Sequence, residues 1–404
     1  MFVIARDGVL GVHPWRHANE GHALTWTNRN SSYMPPSRFG AARSRCARTL
    51  QWSMGAGAVT RALEHLQAQR CRREDALLLD TTGLALGGQI NLASLALSSA
   101  ALTGRPMVLH GRWRYSEGPA CTEALAGEGG RECFFRAKVG CGEGVVAAQR
   151  GRIRMRAHKD GGDVLEHTDT HIVRNGLAQR GLLRAHGLFW WTAQLQGFLT
   201  APSWHMQARK RSAQQSLGLE IVAQETGVIG LHVRHGDACV HAAQSNTRPL
   251  CRRFEEYLPA LAQMRDRYAV RTVFVSTDDA AVAQAAPAAL AALGMRAVSL
   301  ELDRSVFASS WFIEHRVEAA ALDGSGLAES MLLDLLLLAD CDFLVGTLSS
   351  QMSRLALALM TLRLGGVPPF VSVEEMPWGC CSWAGENLEG LNKPLFDALS
   401  FHRF

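Results

Sequence analysis

Residues 327–351 read LAESMLLDLLLLADCDFLVGTLSSQ, and this stretch decides the fold. Residues 332–338 are apolar nearly all round, with Asp334 the lone charge among them. A run of that kind predicts a buried helix over 327–339. Four apolar residues, 343–346, then predict a short buried strand. Thr347 to Ser350 form a polar turn, and a second helix is expected over 349–362, with Ser349 as a good N-cap. Helix, buried strand, polar turn and helix in this order are the grammar of a parallel α/β sheet.

Working outward, the same grammar continues on both sides. Strands are predicted at 228–233, 272–276, 297–300 and 370–373. Helices are predicted at 254–267 and 279–293. Alternation of this length indicates a doubly wound sheet whose ligand lies at the carboxyl ends of its strands. Further upstream, 76–79 reads as a strand ending at Asp80. A Gly-rich turn, 81–88, precedes an apolar helix over about 89–102, and 107–109 reads as another strand. A helix over 58–69 comes before this unit. Residues 187–224 read as helical, broken in two by Pro202.

Three parts follow. Residues 1–45 are rich in Asn, Ser, His, Arg and Pro and are expected to be irregular or disordered. Residues 46–226 form a first α/β domain, with a Cys- and Gly-rich excursion over 116–169. Residues 227–404 form a second, Rossmann-like α/β domain. The basic run 150–156 reads as a solvated strand or loop face.

The 404 residues are 47% hydrophobic and 20% charged, a globular composition. A net charge of +5 is too mild to mark a nucleic-acid protein, which would carry a dense basic stripe. No uninterrupted apolar run reaches the ~18 residues of a membrane helix, and no signal-peptide core is legible at the start. The ten cysteines stand at 46, 71, 121, 133, 141, 239, 251, 341, 380 and 381, with no CxxC pair, so a zinc ribbon is not expected. Disulfides in an oxidising compartment and free thiols in the cytosol are both compatible with that count.

Four constellations carry chemistry. At the end of strand 228–233, alternation puts His232 and Arg234 on one face. Arg234 either forks onto two phosphate oxygens or locks the turn by pairing with Asp237 or another carboxylate. At the end of strand 272–276, Asp279 can cap the next helix, and Asp278 can reach a purine or a sugar hydroxyl. At 346–351, the helix start at Ser349, Ser350 and Gln351 offers N–H groups and a hydroxyl to an anion. Asp334, buried in an apolar helix, needs an ion pair or a ligand that donates hydrogen bonds. The N1–H and N2–H₂ edge of guanine would suit it. Gly87 and Gly88, placed before a helix, let amides approach a phosphate closely. No GxGxxG opening, HExxH or GxSxG is present, so a Rossmann-type NAD enzyme is not favoured.

In order along the chain, these blocks resemble the α-1,6-fucosyltransferases that modify the core of N-glycans. The resemblance runs from about Gly83 onward. It rests on Gly87-Gly88-Gln89, Trp113-Arg114-Tyr115, and Trp190-Trp191-Thr192-Ala193-Gln194 followed by Pro202 and Trp204. It continues through Ile229-Gly230-Leu231-His232-Val233-Arg234, Glu255-Glu256-Tyr257 and Thr277-Asp278-Asp279. The most specific block is Leu333-Asp334, then residues 339–351, then Arg354. The His-x-Arg alone is shared with protein O-fucosyltransferases.

The resemblance implies a GT-B-like pair of α/β domains, GDP-fucose as donor, a glycan or glycoprotein acceptor, and inversion without a metal or other cofactor. It implies that His232 and Asp334 hold guanine. Arg234, Ser350 and the amides of Gly87 and Gly88 would hold the β-phosphate, with Tyr115 near the diphosphate. Ser349, Gln351, Asp278 and Asp279 complete the expected donor site. Arg234, Asp237 and His241 are the expected catalytic set. Where the family has a second Arg, then a Lys and a Glu taken as base, this chain has His235, Gly236, Asp237 and, one residue short of the Glu position, His241. Cys239 and Cys251 bracket that loop and could close it as a disulfide. No SH3-like domain, membrane anchor or coiled coil is legible. The compartment implied is the Golgi lumen, reached as part of a longer protein or by another route. The alternatives are the same fold without turnover, as a sugar-nucleotide or glycan-binding protein, or a protein O-fucosyltransferase.

Overall fold

The computed structural model describes residues 2–4, 10–12, 26–27, 47–72, 76–81, 84–110, 113–122, 130–141, 154–156, 182–219, 222, 226–236, 239, 251–308, 312–365 and 368–374. The chain divides into two compact units. One comprises Met1–Gln51, Lys210–Phe312 and Leu333–Phe404; the other comprises Trp52–Arg209 and Ile313–Leu332. Each is an α/β unit built on a parallel sheet, the make-up expected of a GT-B enzyme.

The first unit is centred on β7, Val228–Val233, whose six residues are all buried. A strand covered on both faces reads as a continuous apolar run, and VIGLHV is that run with one polar residue near its end. The sheet also contains β3 (Trp26–Thr27), β8 (Thr272–Thr277), β9 (Arg296–Val298), β10 (Phe343–Gly346) and β11 (Phe370–Ser372), in the order β3-β11-β10-β7-β8-β9. Only β3 runs antiparallel, against β11; the other pairings are parallel. From β7 the chain moves outward to β8 and β9, then returns to place β10 on the other flank of β7. The β7/β10 junction is therefore a topological switch point, where doubly wound sheets open a ligand crevice at their carboxyl ends. Register brings His232 beside Ser276 and Leu231 beside Val345. The core is formed by Ile229, Leu231, Val233, Val273, Val275, Phe343 and Val345, with Tyr257 and Leu261 packed on them.

The second unit has a smaller parallel sheet in the order β5-β4-β6: β4 is Leu77–Asp80, β5 Met107–His110 and β6 Arg154–Arg156. Helix α1 (Ala47–Gln67) is tied to the sheet through Gln67. Its side-chain amide donates to the Met107 carbonyl and its side-chain oxygen accepts from the Met107 N–H, both at 2.8 Å. Helix α2 (Leu86–Thr103) and helix α3 (Leu182–Leu199) are joined by the Trp191 indole N–H donating to Ser98 Oγ at 2.6 Å. Helix α4 spans Trp204–Leu217. Disulfides Cys71–Cys141 and Cys121–Cys133 staple this unit.

Several expectations change. The 1–45 segment is not wholly irregular: β1 (Phe2–Ile4) and β2 (Leu10–Val12) pair as an antiparallel hairpin, and β3 joins the large sheet. Strands of two or three residues are too short to leave a periodic signal. The single cut near residue 226 is replaced by a division in which 210–226 belong with the large sheet and 313–332 with the small one. Within the excursion, Arg154–Arg156 is a sheet strand, so the basic run is the strand alternative. The helix expected at 58–69 begins at Ala47, because Gly55 and Gly57 weaken its early pattern.

Candidate functional site

The carboxyl edge of the large sheet is made from the ends of β7, β8 and β10 together with four helices. These are α5 (Leu258–Tyr268), α6 (Ala280–Ala292), α8 (Gly324–Ala339) and α9 (Gln351–Leu364); α7 spans Ile313–Glu318 in the other unit.

His232 is only 6% exposed, and its Nδ1 lies 2.7 Å from Ser353 Oγ on α9. Burial, with a smaller push from the Arg234 charge, lowers its pKa to about 3, so the ring is neutral. Gly346 permits this contact: a Cβ there would stand 3.1 Å from Ser353 Oγ and 3.3 Å from the His232 carbonyl.

Asp334 projects from α8 with 8% exposure, and Ser276 Oγ donates to its Oδ2 at 2.5 Å. Burial raises its pKa to about 7, against the opposing Ser276 hydrogen bond and the Arg304 charge. The Arg304 guanidinium is fixed by the Thr277 and Leu300 carbonyls at 3.0 and 3.1 Å. Among the described residues Asp334 Oδ1 has no hydrogen-bond partner. A buried carboxylate oxygen of this kind is costly unless a ligand donor meets it.

Arg234 pairs with Asp278 Oδ2, and the His235 N–H donates to Asp278 Oδ1 at 2.7 Å. The turn-locking alternative for Arg234 thus has Asp278 as the carboxylate, and Asp278 orients the guanidinium rather than standing alone in the crevice. Asp279 caps α6, accepting the Ala281 N–H at 2.8 Å, while its other oxygen faces His235 Nδ1 at 2.7 Å. Gly236 follows with φ +42°, and a Cβ there would meet Asp278 Oδ2 at 2.7 Å and Arg234 Nη1 at 2.8 Å. A glycine is what lets the chain turn away beside this pair.

At β10 the N-cap of α9 is Ser350, not Ser349 as expected. The Ser349 amide and hydroxyl instead both donate to the Glu374 carboxylate, the hydroxyl at 2.8 Å. Glu374 is 3% exposed, and burial raises its pKa despite these bonds. The residue after a short strand arrives beside Ser349 only through β11 pairing, so no local pattern announces it. Gln351 is the first helical residue of α9.

The site therefore gathers His232, Arg234, Asp278, Asp279, Asp334, Ser349 and Ser350 on one sheet edge. Gly87, Gly88 and Tyr115 belong to the other unit. There the two glycines lie inside the first turn of α2, after the N-cap Ala85, rather than in a turn before the helix. Their amides keep the character of a helix N-terminus. Tyr115 is 1% exposed and sits 5.9 Å from the Trp113 ring, while the Trp113 N–H donates to Gln89 Oε1 at 2.7 Å. Asp237 and His241 lie outside the described residues. The Cys239–Cys251 disulfide spans the segment that holds His241; Asp237 precedes it in the sequence. Among the described residues no cluster of three or more His, Cys, Asp or Glu side chains could hold a metal. Sequence reading assigned no role to Ser276, Ser353, Arg304, Glu374 or His235; only the neighbouring motifs pointed toward the first two.

The large sheet defines a Rossmann-like α/β protein. Residues 174–367 match the family described as alpha-(1,6)-fucosyltransferase N- and catalytic domains. Among solved structures, POFUT1 in complex with GDP-fucose aligns at 12% identity and a TM-score of 0.41, over 72% of this chain and 96% of that one. The fucosyltransferase NodZ from Bradyrhizobium aligns at 17% identity and a TM-score of 0.39, over 70% of this chain and 92% of that one. That match spans just under half of the chain and makes it similar to the alpha-1,6-fucosyltransferases; the chain is a glycosyltransferase.

Proposed function

We propose that the protein transfers fucose from GDP-fucose to a glycan acceptor, with inversion, forming an α-1,6 linkage to the core GlcNAc of an N-glycan. The observation that carries the donor reading is the buried Asp334 Oδ1, without a partner among the described residues; its other oxygen accepts from Ser276, the β8 residue in register with a neutral His232. A guanine edge supplies two N–H donors to such a carboxylate. Arg234, oriented by Asp278, would take the β-phosphate and stabilise the charge that grows on departing GDP. The α9 N-terminus at Ser350 adds hydrogen-bond donors. With a guanidinium and helix amides in that role, no metal is needed for the leaving group. Asp237 or His241 would act on the acceptor hydroxyl.

The test is GDP release from GDP-fucose, with and without a panel of N-glycan acceptors. Turnover that requires a core-GlcNAc acceptor and survives EDTA supports the reading. GDP binding without release on any acceptor would establish the second reading, a donor-binding protein, which the lack of the family's Lys and Glu favours. Loss of turnover in EDTA, restored by a divalent cation, would refute metal independence.

The site also separates two adjacent serines. Ser349→Ala is expected to leave GDP affinity within about twofold, because its amide and hydroxyl are committed to Glu374. It should lower stability by about 1 kcal/mol, since a buried carboxylate loses a donor. Calorimetric titration together with thermal melting reads both effects.

A Golgi lumen location is part of the same proposal. It is supported by the three disulfides, which belong to an oxidising compartment. No helix among the described residues is long and apolar enough to cross a membrane.

A further inference from the structure

His235 follows Arg234 at the end of β7, and both of its ring nitrogens face acceptors. Nδ1 is 2.7 Å from Asp279 Oδ2, and Nε2 is 2.7 Å from the Arg252 carbonyl. A peptide carbonyl has no proton to give. Burial works against ionisation of Asp279, but its hydrogen bonds to His235 and to the α6 amides prevail and hold its pKa below the usual value. It too can only accept. A neutral imidazole has one N–H, so satisfying both contacts requires two ring protons.

The ring stands where three segments meet. Its own backbone N–H holds Asp278, whose other oxygen orients Arg234. Arg252 follows Cys251, the exit of the disulfide-closed loop. Gly236 turns the chain immediately after the ring. Among the described residues, the charged groups around it are Asp278 and Asp279 from the end of β8, Arg252 with its partner Glu256 at 3.2 Å, and Arg234, the residue before it.

We propose that His235 is a positioning residue whose two ring nitrogens clasp the β7 end to Asp279 and to the exit of the 239–251 loop, keeping Arg234 set for the donor diphosphate. Removing either contact opens one arm of the clasp and loosens the Arg234–Asp278 pair. The inference rests on the donor reading above for its effect on GDP, but not for the clasp itself.

Two measurements on the full chain test it. In long-range ¹H–¹⁵N spectra of the ligand-free protein, assigned against His235→Gln, both His235 ring nitrogens should be hydrogen-bonded to their acceptors. A ring nitrogen without such a bond would overturn the clasp. GDP affinity is then compared across variants. His235→Gln, which keeps only one arm of the clasp, should bind about tenfold more weakly, the cost of leaving one polar group facing the wrong partner. His235→Arg, with donors for both acceptors, should restore the affinity. Wild-type affinity in His235→Gln would overturn the role in donor binding. If no form binds GDP, the donor reading falls, and the ring spectrum alone still decides the clasp.

Discussion

Arg234→Ala is expected to weaken GDP binding by at least about 100-fold, the loss of a charge-assisted, two-point contact to phosphate oxygens. Turnover should fall further than binding, by roughly 10³-fold, because the guanidinium does most where charge accumulates on the leaving diphosphate. Arg234→Lys should not restore it: an ammonium cannot reproduce the planar fork that Asp278 orients. The substitution also leaves Asp278 with the His235 N–H at 2.7 Å but without its cation. A modest loss of thermal stability should therefore accompany the functional loss. Calorimetry with GDP and a melting curve on the same sample separate the two. Wild-type affinity in a folded Arg234→Ala protein would refute the assigned role.

Asp334→Asn should stabilise the protein while destroying its donor site. In the folded chain burial holds the Asp334 pKa near 7, above the ordinary 3.8. A raised carboxyl pKa means that the folded state binds the proton more tightly than the unfolded state. Below about pH 4 both states are protonated and the group costs nothing. Between about pH 4 and 7 the unfolded chain ionises first, and stability drains away as pH rises. Above pH 7 the whole cost is present, on the order of 4 kcal/mol. Asparagine removes that charge and can still accept from Ser276. Its melting temperature at pH 8 should therefore exceed wild type by roughly 5 °C, with the gain vanishing toward pH 4. GDP affinity should fall about 100-fold, because an amide cannot present two acceptor oxygens to the guanine edge. A variant that binds GDP normally would remove Asp334 from the nucleotide site. A variant less stable than wild type at pH 8 would show that the buried charge has a partner strong enough to offset its burial.

Such a trade marks Asp334 as a residue held for binding rather than for folding. It also explains why the residue was legible in advance: one carboxylate inside an otherwise apolar heptad, Leu332 to Leu338, conflicts with the local pattern. Conflicts of that kind concentrate at functional sites. Glu374 and Ser276 conflict with nothing around them, and so passed without notice.

The amino-acid sequence by itself determined the two α/β halves, the buried parallel strands at 228–233 and 343–346, and the strand-end placement of His232 and Arg234. Burial on both faces leaves an apolar run, and a chain entering or leaving a strand leaves polar punctuation; both are local signals. The tertiary structure alone decided the partners. Ser276 meets Asp334 across 58 residues, Ser353 meets His232 across 121, and His235 finds acceptors 44 and 17 residues away. Each of these contacts depends on β10 returning to the far flank of β7 or on a loop closing against β8. Periodicities of 2 and 3.6 residues say which face of an element is buried, but they carry no information on which element lies beside it. Strand order supplies that, and with it the difference between a list of polar residues and a site.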